Sequence, residues 1–452
     1  MKLHKIGLAA ATAAFALIAG PAQGAENLLY DWNAVNAATT PVAGYVPAPF
    51  VNDTNATSAG ILAQLAAQQA ATPGRVAIKV TPNQTLSPAS IAALFNNPNF
   101  TINYAFYDIE TGGPAVTTPL AQQQAQAIHA QPGGAGTRVG NYRLFPGNGD
   151  NSGVGAGPSL AEYTSGGPTG VNMANPDLYP GSPFYKDPAG VGGTSTSPNI
   201  RSSLFTLPVK RLTYTTSNIP SGHQIIPYVN RFNNFGNNEL DSDANAGNGY
   251  AFNQNAADPT KGQLLSRGDF KALVAHYRLR GADGIHLLDG GVVGYSQAQF
   301  EQDGKDGWQI PQVSSIFAAA DAKIASLDTV IKTGGTTKDF ETAGVVFSGV
   351  YSLTQNKLAL LLSNLTEAPT SVEFPARIAG KIVAGSHQVG EGEHRLLEFT
   401  GVGTQWVLSA NTPLFTSAAD TNRNGIGVPE PVALGSLSLV AMGALFRRSR
   451  RA

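Results

Sequence analysis

Cysteine is absent from all 452 residues. That excludes a disulfide framework, thiolate catalysis, and zinc or iron–sulfur sites ligated by cysteine. Charge is scarce as well: charged residues make up 13% of the chain and the formal net charge is −1. No basic stripe stands outside a terminal arginine block, so nucleic acid is not expected as a partner. The 7 histidines are scattered and form no HExxH. Two oxygen-rich loops fail as calcium sites. "DSDANAG" from Asp241 carries its glycine one place late, and "DTNRNG" from Asp420 would need Glu where Pro431 stands. "GVGAG" follows no clear strand and is no dinucleotide fingerprint. The sequence therefore calls for no cofactor and no metal. A long apolar run is also missing. Val432 to Phe446 is uncharged but spans only fifteen residues, against the roughly 20 that a membrane-crossing helix needs.

What is present begins at the ends. Lys2 and Lys5, an apolar stretch from Ile6 to Ala19, and Pro21-Ala22-Gln23-Gly24 follow the basic, apolar, small-residue order of a secretory signal peptide. Cleavage is expected after Gly24, giving residues 1–24 as the leader. At the other end stand Val428-Pro429-Glu430-Pro431, the apolar run, and Arg447, Arg448, Arg450 and Arg451. Arginine clusters resist translocation, and the prolines stop a helix on the other side. This segment, residues 428–452, resembles the PEP-CTERM sorting signal of bacterial exosortase systems, a segment also known as an ice-binding-protein C-terminal domain. The resemblance implies an exosortase-type processing partner, a C-terminal membrane helix, and delivery to the membrane, cell surface or extracellular matrix. Pro429, Glu430, Pro431, Arg447 and Arg448 would carry the sorting. It implies nothing about the chemistry of the rest.

Between the ends, glycine (51) and proline (29) are abundant, and long loops are expected from Thr111 to Pro198. Ser58 to Ala71 reads as a helix stopped by Pro73-Gly74, and "RVAIKV" as the strand after it. Ser87-Pro88 opens a second helix. "TINYAFYDIE" is a strand, Thr118-Pro119 opens a third helix, and "TRVGNYRLF" is the next strand. Such a βαβαβ series implies parallel strands. "QIIPYVNRF" reads as a buried strand. "LLSRGDFKALVAHYRLRGADGIHLLD" reads as a helix capped by Ser266 and Asp269 and then a strand. A last long helix is expected over Gln312 to Ile331. After Gly334 the rhythm changes to six short strand-like runs, the pattern of an all-β sandwich. The expected organisation is an α/β region over 25–335, a (β/α) barrel, complete or irregular, then a β-sandwich over 340–415 and a linker over 416–427. An open doubly wound sheet is the alternative.

The barrel is favoured because polar residues gather at strand ends: Asp108 and Glu110, Tyr142 and Arg143, Tyr228 and Asn230, and Asp289. With "YAFYDIETG", "VGNYRLFPG", "IIPYVNRF" and "RGADGIHLLDG", the chain resembles secreted bacterial glycoside-hydrolase-like barrels followed by a small β-sandwich. That resemblance implies a carbohydrate-active protein with a polysaccharide as partner.

"FYDIE" holds the leading catalytic candidates. Residues two apart on a strand share a face, so Asp108 and Glu110 would point together with Cα atoms about 6.6 Å apart. That leaves both the retaining and the inverting carboxylate spacings open. A turn or an ion pair would occupy the same carboxylates structurally. Asp289, at a strand exit before two glycines, is the third candidate, with a turn-forming role as its structural counterpart. Asp283, at the strand start, and His286, among apolar neighbours, read as structural. Tyr142, Arg143, Tyr228 and Asn230 are candidates for a sugar cleft, since aromatic faces pack on apolar sugar faces. A non-catalytic surface or matrix protein on the same scaffold is the rival reading, because folds do not dictate function.

Overall fold

The computed structural model describes residues 28–32, 46–109, 114–144, 163, 166–178, 208–209, 212–213, 215–216, 219–220, 222–229, 267–287, 319–320, 329–330, 341–342, 345–364, 368–374 and 377–417. The expected leader, the sorting segment and residues 418–427 of the expected linker lie outside the described residues. Among the described residues no helix is long and apolar enough to cross a membrane.

Serine side chains start the first two helices. Ser58 accepts the Ile61 N–H ahead of α1 (Ala59–Ala71), and Ser87 accepts the Ser90 N–H ahead of α2 (Pro88–Phe95), with proline in its first turn. α3 runs from Pro114 to His129, four residues before the expected start at Thr118. Pro114 supplies a favourable first residue, so the helix begins there and tolerates Pro119 inside. α4 covers Arg267–Leu279.

The parallel strands are β1 (Leu28–Trp32), β2 (Val46–Val51), β3 (Val76–Val80), β4 (Ile102–Tyr107), β5 (Arg138–Leu144), β6 (Met173–Asp177), β7 (Gln224–Ile225), β8 (Tyr228–Val229) and β9 (Ile285–Leu287). The expected strand at "QIIPYVNRF" is thus split at Ile226-Pro227, because proline has no N–H to donate to a ladder. The sheet order is β5-β4-β3-β2-β1-β9-β8-β6-β7, with β5 also pairing β6. That last pairing closes the sheet on itself. With β7 and β8 as two pieces of one pass, the ring has eight staves, all parallel. The α/β region is a closed parallel barrel and not an open doubly wound sheet.

Register decides what the ring encloses. Phe50 lies beside Lys79, Lys79 beside Phe106, Phe106 beside Gly140, and Gly140 beside Met173. Neighbours in register point the same way, and this set points inward. The alternate positions, such as Ile78, Ala105, Tyr107 and Val139, join the helices in one apolar core around the barrel. Tyr107 donates its O–H to Gln124 of α3 at 3.0 Å, and burial of the phenol raises its pKa far above the ordinary value.

A second sheet follows: β10 (Thr329–Val330), β11 (Glu341–Thr342), β12 (Val345–Ser352), β13 (Lys357–Asn364), β15 (Ile382–Val383), β17 (His394–Val402) and β18 (Gln405–Leu414), in the order β10-β12-β13-β17-β18-β15 with β11 on β12. β14 (Thr370–Val372) and β16 (His387–Val389) form a separate pair. β10 corrects the expected long helix at its far end. Thr329 and Val330 are β-branched, and they pair with Tyr351 and Val350 instead. One face of the large sheet closes over Leu358, Leu360, Val372, Phe374, Leu397 and Trp406. The other face, with Val346, Val350, Ala359 and Leu361, belongs to the core that also contains α4.

Candidate functional site

The C-terminal ends of parallel barrel strands form the face where chemistry sits in this architecture. Asp108 stands there, the first residue beyond β4. It continues the inward parity of Tyr104 and Phe106. Its Oδ2 lies 3.5 Å from Lys79 Nζ, and the two side chains are 16% and 3% exposed, so the carboxylate faces the mouth while the ammonium is sealed beneath. The Lys79 ammonium sits 4.8 Å from the Tyr142 ring centre and 5.2 Å from that of Phe50, within cation–π range.

The backbone just after Asp108 is clamped from two neighbouring segments. Asn83, held at φ 58°, donates its N–H to the Asp108 carbonyl at 2.7 Å. Asn141 of β5, wholly buried, accepts the Ile109 N–H at 2.8 Å and donates its amide to the Ile109 carbonyl at 3.4 Å. A strand exit held on both sides presents its carboxylate in one direction.

Deeper in the ring, Phe106, Tyr142 and His286 pack together. The Phe106 and Tyr142 rings stack at 5.7 Å, and the His286 ring meets Phe106 edge-on at 4.5 Å. The Tyr142 hydroxyl is hydrogen-bonded to His286 Nδ1. His286 is fully buried, in keeping with its reading as a core histidine. Asp283 likewise serves the frame, accepting the Ile225 N–H at 2.9 Å.

Of the candidates named from the sequence, Asp108 and Tyr142 meet around Lys79. Tyr142 is 1% exposed and lies in the barrel interior. Arg143 and Tyr228 are placed by backbone only, on β5 and β8. Glu110, Asn230 and Asp289 lie outside the described residues, as do Pro429, Glu430, Pro431, Arg447 and Arg448. Lys79 and Asn141 were missed. A lysine in the otherwise apolar "RVAIKV" was the available signal for Lys79; nothing in the sequence marked Asn141. Among the described residues no cluster of three or more histidine or acidic side chains is arranged to hold a metal.

No family model matches the chain, and no curated protein matches it in sequence. Solved structures resemble it in part. AmyP in complex with maltose aligns at 12% identity over 74% of this chain and 77% of its own, with a TM-score of 0.36. Trehalose-6-phosphate hydrolase from Bacillus licheniformis aligns at 8% identity over 70% and 68%, with a TM-score of 0.37. The α-amylase from Geobacillus thermoleovorans, complexed with acarbose, aligns at 10% identity over 83% and 98%, with a TM-score of 0.33. The barrel itself rests on the closed strand register and not on these likenesses.

Proposed function

We propose that this chain is an exported carbohydrate-active protein of the glycoside-hydrolase type, working at the C-terminal mouth of its barrel. The placement of Asp108 carries the reading: a clamped, partly exposed carboxylate at the exit of β4, over a sealed ammonium. Glu110, two residues on, is the proposed second carboxylate. Paired with Lys79, Asp108 suits the ionised part in the chemistry, as nucleophile, base or stabiliser of a cationic transition state, and Glu110 suits the proton donor. Asp289, Arg143, Tyr228 and Asn230 are proposed at the same mouth, with a polysaccharide as substrate. Residues 25–335 would form the catalytic unit and 340–415 an accessory one. Residues 1–24 would direct export, and 428–452 would engage an exosortase-type enzyme and retain the protein at the membrane or cell surface.

One observation favours a second reading, a non-catalytic matrix protein on a barrel scaffold. The Lys79 ion pair gives Asp108 a structural use. The two readings separate on turnover. The full chain is screened against soluble and insoluble α- and β-linked polysaccharides for reducing-end release, and any active substrate is retested with Asp108→Asn and Glu110→Gln. Loss of about 10²–10⁴-fold in both variants supports the enzyme. Near-normal turnover in both removes these carboxylates from the mechanism, and no cleavage of any glycan favours the matrix reading.

A further inference from the structure

A row of buried polar side chains lies away from the barrel mouth, where α4 meets the C-terminal sheet. Arg280 Nε donates to Ser348 Oγ at 2.8 Å, and His276 Nδ1 lies 2.7 Å from the same oxygen. His276 Nε2 lies 2.9 Å from Ser363 Oγ, which is 2.8 Å from His394 Nδ1. His394 Nε2 ends the row 3.1 Å from Asp269 Oδ1. None of these side chains is more than 3% exposed. Arg280, His276 and Asp269 come from α4 and the residue just beyond it. Ser348, Ser363 and His394 come from β12, β13 and β17. Arg280 also donates to the Phe347 carbonyl and, at 3.1 Å, to Thr213.

One direction for every bond fits both ends. A guanidinium only donates and a carboxylate accepts. Ser348 therefore accepts from Arg280 and donates its O–H to His276 Nδ1. His276 Nε2–H donates to Ser363, Ser363 donates to His394 Nδ1, and His394 Nε2–H donates to Asp269. In this arrangement each proton is used once, the His276 imidazole is neutral, and a cation stands at one end of the row and an anion at the other. A second proton on His276 removes the acceptor that the Ser348 hydroxyl uses. It also sets a buried cation beside Arg280, while Asp269 lies at the far end of the row. Glu393, next to His394 in the chain, is drawn to Arg395 at 2.6 Å.

We propose that His276 is an acid-released latch that joins α4 of the barrel to β12 and β13 of the C-terminal sheet. Burial first, then the charge of the neighbouring Arg280, hold the imidazole well below its ordinary 6.5. Once the seam opens, His276 regains that ordinary value. From pH 6.5 down to the lower value of the closed seam, the open form binds one more proton than the closed one. Opening then grows by up to about tenfold per pH unit as pH falls, and above 6.5 the latch stays shut.

Hydrogen–deuterium exchange of the full chain between pH 7.5 and 5.0, corrected for intrinsic rates, tests this. The expected result is a loss of protection in α4 of up to about tenfold per pH unit below about 6.5, with the strands around Trp406 unchanged. Protection lost equally around Trp406 means general acid unfolding and overturns the latch, as does a flat profile in α4. His276→Gln can accept from Ser348 and donate to Ser363 without titrating, so it should abolish the slope; a retained slope overturns the proposal. If that variant does not fold, histidine side-chain NMR on the unaltered chain decides. A neutral Nε2–H tautomer of His276 at pH 7.5 supports the latch, and a Nδ1–H tautomer or an imidazolium there overturns it.

Discussion

Asp108 and Lys79 meet across two neighbouring strand ends, Oδ2 to Nζ at 3.5 Å, with the carboxylate toward solvent and the ammonium beneath it. The pair ties a partly exposed carboxylate at the mouth to a buried charge beneath it.

Removing one partner should cost more than removing both. Asp108→Asn removes a charge partner of the buried ammonium and is expected to destabilise by about 3 kcal/mol, the lower end for a broken buried pair because Asp108 keeps some solvent. Lys79→Met combined with Asp108→Asn should recover most of that loss. Urea midpoints at constant m-value measure both. A single Asp108→Asn variant as stable as the unaltered chain would show that Lys79 is balanced elsewhere.

Gly140 is required for space and not for backbone conformation. A Cβ there would overlap Asn175 Oδ1 inside the ring. Asn175 donates its amide to the Ile226 carbonyl at 2.9 Å and cannot move without losing that bond. Gly140→Ala should cost about 1–3 kcal/mol by overpacking, with about 1 more if the hydrogen bond breaks. Asn175→Ala in the same chain should relieve the overlap, so the two substitutions should be non-additive in thermal unfolding.

Trp406 anchors the C-terminal core. It is wholly buried, donates its indole N–H to the Ile378 carbonyl at 2.8 Å, and carries the Lys381 ammonium over its ring at 4.7 Å. Trp406→Ala should destabilise this sheet by about 3–5 kcal/mol. Exchange protection should fall in β13, β17 and β18 before it falls in β3 and β4. Simultaneous loss would mean that the sheet and the barrel unfold as one unit.

The sorting segment makes the last prediction. Deleting 428–452 should move the protein from the membrane fraction to the soluble one with its circular dichroism spectrum unchanged. Unchanged retention in the membrane fraction would remove that segment as the anchor.

Local features were readable from the sequence because they depend on residues within a few positions of each other. Ser58 and Ser87 cap helices through their own neighbours, and "RVAIKV" and "TINYAFYDIE" are strands because β-branched and aromatic residues cluster there. The parity argument put Asp108 and Glu110 on one face of the strand, and the register turns the Asp108 face inward. Periodicity failed where a partner far along the chain competed. Thr329 and Val330 fit a helical repeat but pair with β12. Asp269 gives an oxygen to His394, 125 residues away, a contact that no local pattern marks.

The sequence by itself determined the alternation of helix and strand, the change of rhythm after Gly334, and the exclusion of thiol chemistry, since each follows from composition or from short-range geometry. Only the tertiary structure decided that the parallel strands close into a ring, because closure depends on β5 meeting β6 and β1 meeting β9, pairings that no local pattern encodes. It alone decided that Lys79 lies under Asp108 and that Asn141 clamps the loop after it. It also decided that His276, Ser348, Ser363 and His394 share one sealed row. A buried polar group must find a partner wherever the fold provides one, and which residue that is depends on long-range packing that the order of residues does not reveal locally.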